Sequence, residues 1–210
     1  RQRQMCIRDS FITYRMIKKM KRNLTGVLLM GLIMGACNHT PKEGAYHLRG
    51  VVTNEKLEGR TIYLRDAIEG VVRYDSTTVS EGRFVFNGKV TAPQVRELFI
   101  QETDSDRFPV TLPVVLEPGE INAKIGDIVL VEGTGLNEEM MQTLMALDEF
   151  RGRDFTGKEI NEIKEAFGGF VLEQIVKHAG SPVGNYLYEA YQNKLSENQQ
   201  TEARKTLGIG

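Results

Sequence analysis

The side chains able to do chemistry in this chain are few and far apart. Its three histidines, His39, His47 and His178, match no metal-ligand spacing. His178 falls where a helix should end, a place that favours a cation. Asp104 and Asp106, in QETDSDRF, offer two carboxylates. The further oxygens and the glycine of a calcium loop are missing, so a solvated turn is expected there. The remaining acids are scattered, with no paired-carboxylate spacing. No Gly-x-Ser-x-Gly, glycine-rich phosphate loop or His-Glu-x-x-His occurs. Tyr186, Tyr188 and Tyr191 read as packing residues on a helix. The two cysteines are Cys6 and Cys37, both ahead of the main body. No disulfide, redox pair or thiolate cluster is therefore expected, and the chain reads as non-enzymatic, with no cofactor and no metal.

Cys37 has a context of its own. Lys18, Lys19, Lys21 and Arg22 form a cationic start, followed by the uncharged, mostly apolar run Leu24 to Ala36. As a helix that run rises only about 20 Å, short of the roughly 30 Å hydrocarbon core, so a secretory signal fits better than a transmembrane span. The ending Ile33-Met34-Gly35-Ala36-Cys37 resembles a bacterial lipobox, with Met34 where leucine is usual. That resemblance implies cleavage before Cys37 and acylation of its thiol and new amino group, making Cys37 a lipid anchor and the membrane a partner. Residues 20–36 then form the lipoprotein signal peptide and 37–45 a tether, broken by Pro41 and Gly44. Residues 1–19, beginning RQRQMCIRDS, are expected to be a spurious or disordered leader. No acidic run follows Cys37, which favours the periplasmic side, on the outer rather than the inner membrane.

The leader changes the charge balance. Residues 1–36 hold 8 of the 27 Lys and Arg but only Asp9 of the 28 acids, leaving 19 bases against 27 acids, a net of −8. Such a body repels phosphate backbones, so nucleic-acid binding is disfavoured. A periplasmic protein or a second copy of the chain is the partner class that remains.

Residues 46–133 alternate apolar and polar positions with Val, Ile, Thr, Tyr and Phe, in short runs separated by turn residues. About eight strands are expected, in an antiparallel β-sandwich. Gly82 in Ser80-Glu81-Gly82 and the Pro118-Gly119 pair in Glu117-Pro118-Gly119-Glu120 read as reversals between antiparallel neighbours, the second as a type II turn. Pro109 and Pro113 mark an edge strand. Residues 134–210 read as three to four helices, giving an α+β chain. Expected caps are Asn137, a capping box from Thr156 to Glu159, Ser181 before Pro182, and Ser196 with Gln199. Gly168-Gly169 should weaken the helix that contains them.

Several β-region stretches form a recognisable set: Asp75-Ser76, Val79, Gly82-Arg83-Phe84, Phe86 and Gly88, then Val115-Leu116-Glu117-Pro118-Gly119, then Val131 to Asn137. Together they resemble a Bacteroidota lipoprotein domain of unknown function. In that family the module usually precedes a thioredoxin-like domain of periplasmic thiol-disulfide oxidoreductases, whose Trp-Cys-x-x-Cys motif does not occur in this sequence. Read from the residues alone, Gly82 permits a turn, Phe84 and Phe86 anchor one sheet face, and Gly88 allows a bulge or close approach. Asp75-Ser76 is expected to bond a neighbouring turn. The function expected is a non-catalytic, envelope-tethered binding or interaction module. The alternative is the front portion of a thiol-disulfide oxidoreductase whose thioredoxin-like domain is missing here.

Overall fold

The computed structural model describes residues 44–68, 72–103 and 109–209. Cys37, the signal segment, nearly all of the tether, and Asp104 and Asp106 lie outside the described residues. Eight strands come first: β1 (Ala45–Val52), β2 (Thr61–Arg65), β3 (Arg73–Thr78), β4 (Arg83–Lys89), β5 (Gln94–Ile100), β6 (Val110–Leu116), β7 (Gly119–Ile125) and β8 (Leu130–Glu132). Four helices follow: α1 (Gly135–Arg151), α2 (Ile160–Lys177), α3 (Pro182–Tyr191) and α4 (Glu197–Leu207). The chain is thus α+β, in the order expected.

The strands form two four-stranded sheets, one ordered β4-β1-β7-β8 and the other β3-β2-β5-β6. Period-two alternation sends Leu48, Phe84, Phe86 and Ile121 of the first sheet and Ile62, Leu64, Leu98 and Leu112 of the second into one buried cluster. The expectation of all-antiparallel pairing fails at one place: β1 and β7 run parallel, with Leu48 opposite Ile121. The cause is where the links go. β6 and β7 belong to different sheets, so Glu117-Pro118 is a crossover and not a type II hairpin turn, and Gly119 has φ 135°. The Ser80–Arg83 reversal closes locally but its strands also diverge, β3 into one sheet and β4 into the other. β6, carrying Pro113, does lie at a sheet edge, as its prolines indicated.

The helices pack against β5 and β6 of the second sheet, and α1 also touches β8 of the first. Val115 of β6 joins Met140, Leu147, Val171, Ile175, Val183 and Leu187 in a second buried cluster, with Val95 of β5 against it. Adjacent residues of α1 divide between the two: Met140 enters the helical cluster and Met141 the inter-sheet one. Two expected caps move. Thr134, not Asn137, is the N-cap of α1. α2 starts late because Asp154 Oδ1 accepts from the Thr156 amide at 2.8 Å, holding that segment in a turn. Glu159 is then the N-cap of α2, in a capping box whose Glu162 side chain accepts from the Glu159 amide at 2.9 Å. The caps at Ser181 and Ser196 are present. α2 runs unbroken through Gly168-Gly169. Gly168 is where α4 comes close: a Cβ there would meet Gln199 Oε1 at 2.6 Å.

Candidate functional site

Gly82, Arg83, Phe84, Phe86 and Gly88 of the recognised motifs meet in the β1–β4 ladder and the turn that feeds it. Glu81 and Gly82 both hold positive φ, 53° and 64°, and Ser80 and Arg83 exchange backbone hydrogen bonds of 2.9 and 3.0 Å. This is the mirror-image turn that suits strand twist. Its two inward amides are held by one carboxylate: Glu58 accepts from the amides of Glu81 and Gly82, each at 2.9 Å. Beyond the turn, the inward positions of β4 face β1 in register: Phe84 opposite Gly50, Phe86 opposite Leu48, Gly88 opposite Tyr46. A Cβ at Gly50 would lie 1.9 Å from the Phe84 ring, and one at Gly88 2.6 Å from the Tyr46 ring. Each glycine therefore makes room for an aromatic ring on the neighbouring strand. Phe84 and Phe86 are buried edge to face at 6.0 Å. Asp75 and Ser76 are exposed on β3, where Asp75 Oδ1 accepts from the adjacent Ser76 amide at 2.7 Å and not from a neighbouring turn. Burial pushes the Tyr46 phenol up, and the Asp75 charge pushes it further while Arg96 opposes.

The later motif segments meet at the start of α1. Glu117 Oε1 accepts from the Leu136 amide at 2.8 Å, capping the helix from the sheet crossover. Asn137 is fully buried, and its side-chain amide pairs with the outer edge of β6, accepting from Val115 N at 2.9 Å and donating to Val115 O at 2.7 Å. A side chain thus takes the place of a further strand on that edge. Gly119 faces Thr134, whose Cγ2 would lie 3.1 Å from an added Cβ. Pro118 and Gly119 serve this junction and no reactive group.

The remaining polar constellation joins α1 to the end of α2. His178 caps α2 and is buried. Its Nδ1 lies 2.7 Å from Glu139 Oε1 and its Nε2 3.0 Å from Thr143 Oγ1, while the Thr143 hydroxyl donates to the Glu139 carbonyl at 2.9 Å. Carboxylate, imidazole and hydroxyl in a row is the arrangement of an activated nucleophile. Thr143, however, is only 1 % exposed and its hydroxyl is committed to the helix backbone. The helix dipoles favour an anion near the start of α1 and a cation at the end of α2, so the contact is a clamp between two helix ends. An open cleft lies beside it, lined by Pro93, Leu136, Glu139, Lys177, His178 and Ser181 among others.

The other candidates are structural. His47 bonds Asn87 Oδ1 at 2.8 Å across β1 and β4. Tyr188 is buried, and Tyr191 accepts from Arg151 at 3.0 Å. Among the described residues no group of three or more His, Cys, Asp or Glu gathers to hold a metal, and no helix is long and apolar enough to cross a membrane. Sequence reading missed Gly50, Glu58 and the Glu139–Thr143–His178 clamp. Only His178 carried a signal, its place at a helix end.

Residues 46–140 match a family model described as Domain of unknown function (DUF4369). The match spans all eight strands and the first residues of α1, including the three stretches that make the turn, the crossover and the helix start. Neither curated proteins nor solved structures gave a match.

Proposed function

We propose that the chain is a non-catalytic interaction module of the cell envelope, held on the periplasmic face of a membrane, the outer one, by lipid on Cys37. The two sheets would face each other as a β-sandwich, with the helices as a third layer. The observation that carries the reading is the fate of the most reactive-looking group: the Thr143 hydroxyl beside His178 is buried and donates into its own helix. The lipobox-like ending at Cys37 supports the anchor, since two or more acyl chains hold a protein durably on a bilayer. Radiolabelled palmitate should enter the expressed protein and Cys37→Ser should release it from the membrane fraction. Failure of both removes the anchor. Turnover that survives repurification and vanishes with a point variant of the folded body would refute the non-catalytic reading.

A second reading is favoured by the match over residues 46–140 together with the motif resemblance. There the chain is the front portion of a thiol-disulfide oxidoreductase. A reading frame that continues past Gly210 into Trp-Cys-x-x-Cys supports it, and a stop codon within a few codons opposes it.

A further inference from the structure

The helices pack on β5 and β6 of one sheet and reach the other only at its edge strand β8, so the outer face of β4, β1 and β7 is left open, with an unusual charge. Outward positions of β4, β1 and β7 place Arg83, Lys89, Arg49 and Lys124 on it, against the acids Glu120 of β7 and Glu132 of β8. Arg49 is paired with Glu120 at 3.4 Å. Arg83, Lys89 and Lys124 make no ion pair among the described residues. Between them stand Val51 and Val85, 47 % and 45 % exposed. Register aligns Arg83, Val51 and Lys124 in one row across the sheet, with Val85 next to Arg49 in the following row. A body of net −8 thus turns a cationic, partly apolar face outward.

We propose that this face is a membrane-contacting surface that takes the phosphate groups of anionic lipid headgroups, with Arg83, Lys89 and Lys124 as the contacting cations. The inference rests on the anchored reading above. β1 is the strand the tether enters, and the chain from residue 37 to residue 45 reaches at most about 28 Å, so the sheet cannot leave the headgroup region by much more than its own width. Each cation near an anionic surface strengthens contact roughly fivefold, and the effect fades beyond about 10 Å at 0.1 M salt. The acidic remainder of the molecule is repelled by the same surface, which orients the face toward it.

The test uses the full lipidated chain in vesicles, with Val85→Cys labelled by a fluorophore and quenched by headgroup-labelled lipid. Ile160→Cys, 70 % exposed at the start of α2, is the reference position. Vesicles contain phosphatidylcholine alone or with about one-third phosphatidylglycerol, an anionic share sufficient to attract cations. Quenching is expected at position 85 in anionic vesicles, not at 160, and is expected to fall on adding salt or on Arg83→Gln/Lys89→Gln/Lys124→Gln. Equal quenching at both positions, or at neither, overturns the proposal. So does quenching at 85 that is the same in uncharged vesicles and indifferent to salt, which would mean apolar contact without headgroup recognition. The intact mass of the purified protein reads acylation separately, so loss of the anchor is distinguished from loss of the surface contact.

Discussion

Glu81 carries the only positive φ on a described non-glycine residue, 53°, and the Glu58 carboxylate sits across the same turn. The left-handed conformation costs a side-chain-bearing residue about 1 kcal/mol or more. Two charge-assisted hydrogen bonds from the turn amides to one exposed carboxylate offset it. Glu58→Ala should therefore destabilise the protein by about 1–2 kcal/mol, and Glu81→Gly should recover part of that loss. Urea denaturation of the single and double variants checks this, and an additive double variant would show that the turn and its clamp are uncoupled. A second carboxylate behaves differently. Burial raises the pKa of Glu97, and the Arg65 guanidinium, 2.7 Å away, opposes the rise. A carboxyl whose folded pKa lies above its unfolded value contributes stability at low pH, lost as pH rises through the folded pKa. Arg65→Met leaves that charge half-buried and unpaired, so it should cost roughly 2–3 kcal/mol at pH 7 and much less near pH 4. Glu97→Gln should cost under about 1 kcal/mol at either pH. Paired urea titrations at the two pH values decide it, and equal losses for Arg65→Met at both would refute the assignment.

The elements show which features the sequence carried and which it could not. Strand alternation, the edge position announced by Pro113 and the caps at Ser181 and Ser196 are local chemistry, and they stand in the fold as read. The turn at 80–82 was also legible, whereas 117–119 was legible as a strand break but not as a crossover between sheets. The sheet each following strand joins is fixed by distant partners, which is why β7 runs parallel to β1 against expectation. Gly50 was silent for the same reason: its meaning depends on Phe84, a residue on another strand. Asn137 has good cap chemistry, but the orphan edge of β6 outcompetes the helix end for its amide. Asn137→Leu should thus leave the Val115 amide and carbonyl buried without partners, costing roughly 2–4 kcal/mol. Thr134→Ala, at the cap position itself, removes no cap bond but only the hydroxyl that accepts from Asn137 Nδ2 at 2.8 Å, so it should cost about 1 kcal/mol, less than Asn137→Leu. Thermal unfolding of the two variants should show that order, and the reverse order would restore Asn137 to the cap.

Across the whole molecule, the boundary between strands and helices is not a boundary between cores. The family match runs to residue 140, and Met140 and Met141 at that point face different clusters. Leu144 packs against both. α1 also supplies Asn137 to the open edge of β6 and receives its own cap from Glu117 in the sheet crossover. Removing residues 134–210 would therefore uncover Val115, empty the Met141 position and expose an unpaired strand edge together, and each of these alone promotes aggregation or loss of stability. The described body should then unfold as one unit, with a calorimetric enthalpy equal to the van't Hoff value. A chain ending at residue 133 should be insoluble or lack protected amides in β6, whereas one ending at residue 151 should retain them. Two separated thermal transitions in the intact protein would show instead that the strands and helices fold independently, and that α1 is a linker with incidental contacts.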